Sequence, residues 1–77
     1  MDVRRRVGAN VKRIREGLGL SQEALAFECS LHRTYISGVE HGVRNPTVVV
    51  LEKIAAALDV PSARLLDETN SPKRGRS

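Results

Sequence analysis

Hydrogen-bonding side chains cluster in one short segment of the sequence and could share a single face of a helix: His32, Arg33, Thr34 and Ser37, with Gly38 beside them. Tyr35, Ile36 and Val39 fall at the spacing of the opposite, inward face. An exposed face of this composition, on a short helix that follows a tight turn, is what a reader of the DNA major groove requires. The segment therefore predicts contact with base edges in DNA.

Arg33 is the strongest candidate for base recognition on this face. Its guanidinium can donate two parallel hydrogen bonds to O6 and N7 of guanine, which is worth about 1–3 kcal/mol of discrimination. Thr34 can pair its hydroxyl with a base or a phosphate and its methyl with thymine, or it can cap the helix instead. His32, at the start of the helix, is either a phosphate contact or a neutral surface side chain.

A second short helix must come before this one to position it. The segment SQEALAFEC (residues 21–29) begins with Ser21, a favourable N-cap residue. Ala24, Leu25 and Cys29 then recur at near-helical spacing. Ser30 favours a turn directly after them. Residues 21–42 are therefore predicted to form two helices joined by a tight turn.

The N-terminal segment reads as an amphipathic helix over residues 2–18, with Asp2 placed well for the helix dipole. Its apolar stripe consists of Val3, Val7, Val11, Ile14 and Leu18. Gly8 is a mild weakness, costing roughly 1 kcal/mol relative to alanine if it is exposed. The polar face carries five arginines and one lysine that either face solvent or reach DNA phosphates: Arg4, Arg5, Arg6, Lys12, Arg13 and Arg15.

The C-terminal half predicts two more helices. Gly42 suits the position after a helix end, Pro46 closes a turn, and Thr47 is a plausible N-cap for a helix over residues 48–60. The buried stripe of that helix is Val50, Leu51, Ile54, Ala55 and Leu58. Residues 61–66 predict a short fifth helix, in which Leu65 and Leu66 either cap the core or face a second chain. Residues 67–77 lack periodicity and predict a disordered basic tail.

Composition supports this organisation. The chain has 77 residues with a net charge of +4 and a pI near 10.0, so a single domain (residues 1–66) with an anionic partner is expected. One cysteine excludes an intrachain disulfide and favours a reducing, cytoplasmic location. No apolar run reaches the length of a membrane-spanning helix. Binding to a membrane surface fits poorly, because the apolar stripe of the first helix is needed for the core.

Two other classes of site are weak alternatives. Cys29 and His32, together with His41, could offer three soft metal ligands, but Cys29 lies on the apolar stripe and suits a small core position. No phosphate-binding glycine loop, carboxylate pair or nucleophile–base arrangement is visible. The sequence therefore predicts no metal, no cofactor and no enzymatic activity.

Three blocks in order, GANVKRIREGLGLSQEALA, RTYISGVEHGVRNPT and LEKIAAALDV, resemble the lambda-repressor-like (XRE, Cro/repressor-type) helix-turn-helix family. The resemblance covers residues 7–66. The block RTYISGVE followed by RNPT also resembles the small controller proteins of restriction–modification systems. The resemblance to the helix-turn-helix family implies an all-α fold in the form of a compact five-helix DNA-binding domain.

The resemblance also implies roles for individual residues. Positions matching base-reading residues are Arg33 and Thr34, with Ser37 and Gly38 one turn further along; here glycine offers no side chain. Positions matching contacts to the DNA backbone are Gln22, which also supports the recognition helix, Arg44, Asn45 and Thr47. Tyr35 matches a position that lies at the DNA backbone or at a central base step. Arg15 and Glu40 match an ion pair that joins the first helix to the end of the recognition helix; the alternative is two unrelated surface charges.

These readings together predict a transcriptional regulator that binds a palindromic double-stranded DNA operator as a homodimer, because one helix reads too few base pairs. The predicted dimer interface consists of Val49, Leu58, Val60, Leu65 and Leu66. No small-molecule ligand is expected, and the sequence does not distinguish repressor from activator. The alternative is an antitoxin-type interaction module that also binds DNA.

Overall fold

The computed structural model describes residues 2–68, within which the chain forms four α-helices and a short 3₁₀ helix and no strand. The elements are α1 (Val3–Gly17), α2 (Gln22–Cys29), α3 (Arg33–Glu40), α4 (Val48–Leu58) and a C-terminal 3₁₀ helix (Ser62–Leu66). The all-α prediction is confirmed. The predicted tail beyond residue 68 lies outside the described residues.

Side-chain caps begin three of the α-helices. Asp2 Oδ1 accepts from the backbone N–H of Arg4 at 2.8 Å. Ser21 Oγ and Thr47 Oγ1 each accept from the backbone N–H three residues later, at 3.0 and 3.1 Å. Each of these two hydroxyl caps contributes about 1 kcal/mol to stability. The predicted N-caps of α2 and α4 are therefore present.

Residues in the left-handed conformation lie at the C-terminal ends of the α-helices, and two of them form the turns on either side of α3. Ser30, between α2 and α3, has a φ of 58°. Gly42, after α3, has a φ of 75°, which glycine adopts without the steric cost that a Cβ would add. The turn at Ser30 lets α3 cross α2 immediately, so the predicted pair of helices with a tight turn is confirmed.

All four α-helices and the 3₁₀ helix contribute to one core. Its largest fully buried apolar side chains are Val11, Leu25, Ile36, Val39, Ile54, Leu58 and Leu65. The predicted stripe of α1 is wrong at both ends, because Val3 and Leu18 are 47% and 54% exposed. These two residues lie where α1 extends past the core, so only the middle of the helix is buried.

Gly8 lies where α1 and α3 approach most closely, and it is buried. A Cβ at this position would overlap the carbonyl oxygen of Val39 and lie 2.6 Å from the carbonyl oxygen of Glu40. The cost of about 1 kcal/mol relative to alanine applies only to an exposed glycine, so it does not apply to the buried Gly8. The absence of a side chain here lets the backbone of α3 pack directly on α1.

The fifth element is a 3₁₀ helix rather than an α-helix. Its five residues are few for a series of i to i−4 hydrogen bonds, and Pro61 before it has no N–H to donate. Leu65 is completely buried, whereas Leu66 is 43% exposed. The first of the two leucines therefore completes the core, as one of the two sequence readings proposed.

Asn10 fastens the C-terminal segment to α1. Its buried side-chain Nδ2 donates to the carbonyl oxygens of Leu65 and Asp67 at 2.9 and 2.8 Å. Arg6 Nη1 also lies 2.9 Å from Glu68 Oε2. Asp67 and Glu68, which the sequence assigns to a disordered tail, are instead held against the first helix.

Candidate nucleic-acid interface

Helix α3 presents one face to the core and another to solvent. Ile36 and Val39 have no exposed surface and fix the helix on the domain. Arg33 and Thr34 are exposed, and Ser37 lies half-buried one turn further along. His32, the N-cap residue, is also exposed but makes no side-chain capping bond. The structure thus brings the predicted base-reading residues together on the outward face.

A buried ion pair joins α1 to the end of this helix. Arg15 donates from Nε and Nη2 to the two carboxylate oxygens of Glu40, at 2.6 and 3.0 Å. The side chains are 9% and 2% exposed. Hydrogen bonding to the Glu40 carboxylate raises the pKa of Arg15 above its usual value. The predicted ion pair is therefore present, and it is a two-point contact that fixes α3 relative to α1.

Gln22 connects the start of α2 to both ends of α3. Its Nε2 donates to Glu40 Oε1 at 3.0 Å, and its Oε1 accepts from Arg33 Nη1 at 3.5 Å. The side chain is half-buried, so part of it faces solvent beside Arg33. This arrangement agrees with the implied role of Gln22 in supporting the recognition helix.

Tyr35 and Arg44 form a second group next to the outward face. The Arg44 guanidinium lies over the Tyr35 ring, 5.6 Å from its centre, which is a cation–π contact. The ring is half-buried against the core, so Tyr35 combines the packing and surface positions that the sequence suggested. Gly38 lies under Arg44, and a Cβ there would be 2.5 Å from Arg44 Cγ. The missing side chain at Gly38 thus makes room for Arg44.

The other predicted backbone contacts lie on the loop after α3 and at the start of α4. Asn45 and Thr47 are exposed, and the Thr47 hydroxyl already accepts one bond as the cap of α4. That hydroxyl still has its proton to donate. The loop therefore offers polar groups beside α3.

Sequence reasoning missed His41 as part of this face and weighed it only as a metal ligand. Its Nδ1 lies 2.8 Å from the backbone oxygen of Ser37, so Nδ1 carries a proton and donates. Residues 33, 37 and 41 repeat at intervals of four, and that helical period was the available signal. His41 thus extends the polar face to the end of α3.

Cys29 behaves as a core residue. It is 3% exposed, its Sγ lies 3.8 Å from the carbonyl oxygen of Lys53, and burial raises the pKa of its thiol. Over residues 2–68, no three histidine, cysteine or acidic side chains are grouped to hold a metal ion. The preference for a core role of Cys29 is therefore confirmed.

Part of the predicted dimer interface is wrong. Leu58 and Leu65 are 1% and 0% exposed because they fill the core of their own domain. Val60 is partly buried against that core. Val49 and Leu66 are exposed, at 68% and 43%, and they remain available to a second molecule.

Comparison with known proteins decides the family. A family model described as Helix-turn-helix (HTH_3) matches residues 11–65, which include α2, α3 and the turn between them. The chain belongs to the helix-turn-helix family. The predicted resemblance to this family is confirmed.

Individual relatives of this helix-turn-helix protein include controller proteins of restriction–modification systems. Control protein C.BamHI of Bacillus amyloliquefaciens is 49% identical over 69 residues, covering 88% of this chain and 85% of the relative. The crystal structure of the controller protein C.AhdI from Aeromonas hydrophila is 42% identical with a TM-score of 0.79, covering 80% of this chain and 94% of that one.

A third relative was solved with DNA. The C.Esp1396I controller protein is a tetramer in complex with its natural 35-base-pair operator. It is 38% identical to this chain with a TM-score of 0.77, and the match covers 84% of this chain and 86% of that one. These named relatives are regulators rather than enzymes.

Among the helices of residues 2–68, none is long and apolar enough to span a membrane.

Proposed function

We propose that this protein is a sequence-specific regulator of transcription that binds a palindromic double-stranded DNA operator as a homodimer. We further propose that it acts as a restriction–modification controller protein. The observation that carries the proposal is the outward face of α3, where Arg33, Thr34 and Ser37 stand on a helix fixed by a buried ion pair. The operator-bound relative supports DNA as the partner.

In this proposal the residues of the interface divide into two groups. Arg33, Thr34 and Ser37 read base edges, and Arg33 recognises guanine. Contacts to the phosphate backbone come from a second set: Gln22, His32, Tyr35, Arg44, Asn45 and Thr47. Backbone contacts fix the register of the protein on DNA, and the base contacts then supply the sequence preference.

The homodimer is supported by exposed apolar side chains near the C-terminal end of the domain. Val48 and Val49 are 77% and 68% exposed at the start of α4, and Leu66 is 43% exposed. The revised interface consists of these three residues and Val60. Leu58 and Leu65, which belong to the interface predicted from the sequence, are left out because they are buried. Two copies would read two half-sites about one helical turn apart, and the combined site is long enough to be specific within a genome.

The test is selection of bound sequences from random DNA, followed by affinity measurements on the selected site at several salt concentrations. We expect a palindromic site and a logarithm of affinity that falls by about 0.9 per phosphate contacted for each unit of log salt. Failure to enrich any sequence would refute the proposal and would favour an interaction module with another partner.

The variant Arg33→Ala tests directly whether Arg33 recognises a base. It should relax the preference at one position of the selected site by about 1–3 kcal/mol and leave the fold intact, because the side chain is exposed. Arg64→Ala, on the 3₁₀ helix, removes the same charge outside the proposed interface and is the matched control. Equal losses on selected and random DNA would show that Arg33 contacts only phosphate.

A further inference from the structure

We infer that Glu40 is a positioning residue for base recognition, although its side chain is buried: it sets the orientation of the Gln22 amide, and the amide in turn holds the Arg33 guanidinium. The inference rests on the proposed function and names a determinant of specificity within it. The residues involved come from three helices and meet behind the outward face of α3.

Hydrogen-bond polarity dictates how the amide must lie. The Glu40 carboxylate only accepts hydrogen bonds, so the amide must turn its Nε2 toward Glu40, at 3.0 Å. The Arg33 guanidinium only donates, so the amide must turn Oε1 toward Arg33, at 3.5 Å. A flipped amide would place two acceptors against each other at Glu40 and two donors at Arg33. Only one of the two orientations satisfies both neighbours.

Glu40 can impose this orientation because it is itself immobile. Its side chain is 2% exposed, and Arg15 holds both carboxylate oxygens. Arg15 also donates from Nη1 to the carbonyl oxygen of Leu20 at 2.7 Å, directly before the cap of α2. The carboxylate is therefore fixed relative to the start of α2, where Gln22 lies. A fixed acceptor beside a half-buried amide leaves the amide little rotational freedom.

The consequence for DNA binding is a preorganised arginine. An unsupported arginine side chain loses much rotational freedom when it docks on guanine, and an acceptor already in place reduces that cost. Gln22 Nε2 keeps a second N–H, which Glu40 Oε1 does not use, for donation to a phosphate. The two roles implied for Gln22 therefore use different atoms of one amide.

The decisive variant is Gln22→Met, which keeps the length of the side chain, removes both hydrogen bonds and leaves the Arg15–Glu40 pair intact. We measure affinity for the selected operator and for operators changed at each half-site position in turn. The preference for guanine at the position read by Arg33 should fall about three- to tenfold, the effect expected for one exposed, charge-assisted hydrogen bond. Preferences at the other positions should stay within about twofold.

Two further variants test Glu40 itself. Glu40→Gln should lower the same preference, because an amide at position 40 can satisfy either orientation of Gln22. Combining it with Gln22→Glu should restore the preference, since the new carboxylate again presents an acceptor to Arg33. Glu16→Gln is the matched control: Glu16 also lies near Arg15, at 3.8 Å, but its side chain is 57% exposed.

The outcomes separate this inference from the proposed function. A wild-type protein that selects no sequence overturns the proposed function. A selected site whose preferences are unchanged in Gln22→Met, or fall equally at every position, overturns only the positioning role. Gln22→Met tests the contact between Gln22 and Arg33. Where Glu40→Gln does not fold, Gln22→Glu alone tests Glu40: it keeps an acceptor for Arg33 but loses the donor to Glu40, so an unchanged preference would overturn the role of Glu40.

Discussion

Replacing Gly8 with alanine should destabilise this protein, although the same change in an exposed helix gains about 1 kcal/mol. The new Cβ would overlap the carbonyl oxygen of Val39 and lie 2.6 Å from that of Glu40, against an ordinary contact distance of at least 3.4 Å. Backbone atoms cannot rotate away, so α3 must withdraw from α1 by about 1 Å before the contact with the Val39 oxygen reaches an ordinary distance. Overpacking of this kind costs about 1–3 kcal/mol.

The net loss for Gly8→Ala should therefore be up to about 2 kcal/mol once the gain of about 1 kcal/mol in helix propensity is subtracted. Thermal unfolding followed by circular dichroism measures it, since each kcal/mol lowers Tm by about 4–8 °C in a domain of this size. The matched control is Gly17→Ala in the same helix, where a Cβ would meet nothing within 4 Å and stability should rise. If both variants raise Tm, the close packing of α1 on α3 is wrong.

Three other changes have expected outcomes. Arg15→Met should lower the free energy of unfolding in urea by about 3–5 kcal/mol, because it leaves the buried Glu40 carboxylate without its cation; a loss below about 1 kcal/mol would contradict this. Asn10→Ala should cost about 1–3 kcal/mol and speed hydrogen exchange around Leu65, whereas unchanged exchange would show that the side chain does not fasten that segment. The hydrogen bonds from Arg4 lower the pKa of Asp2 from 3.8 to about 2, so its stabilising effect is complete above pH 4 and is lost as the pH falls through 2. The stability difference between wild type and Asp2→Asn should therefore narrow over that range, and a constant difference would refute the assignment.

The features that the sequence predicted well depend on local signals. Ser21 and Thr47 identify helix starts because a cap bonds to the backbone only three residues away. Ile36 and Val39 show the inward face of α3 because helical period alone sets which side chains share a face. The Arg15–Glu40 pair joins residues far apart in the chain, and only the family resemblance suggested it.

The features that the sequence did not predict depend on contacts between helices that are far apart in the chain. The need for Gly8 arises from the backbone of α3, and nothing near Gly8 in the sequence indicates that contact. Asn10 looks like one more polar residue on α1 until the C-terminal carbonyls lie beside it. Leu65 looked available to a partner because residues 61–66 were too short to show which leucine the core would take.

The two faces of α3 also differ in how freely they can change during evolution. Ile36, Val39 and Glu40 are constrained by the core and the ion pair. Thr34 is exposed, and Ser37 is half-buried with its hydroxyl 3.5 Å from His41 Nδ1, another residue of the outward face. Under the proposed function, substitutions at those two outward positions would change the target sequence at little cost in stability. Descendants of one such gene would then diverge in the sites they occupy while keeping the same scaffold.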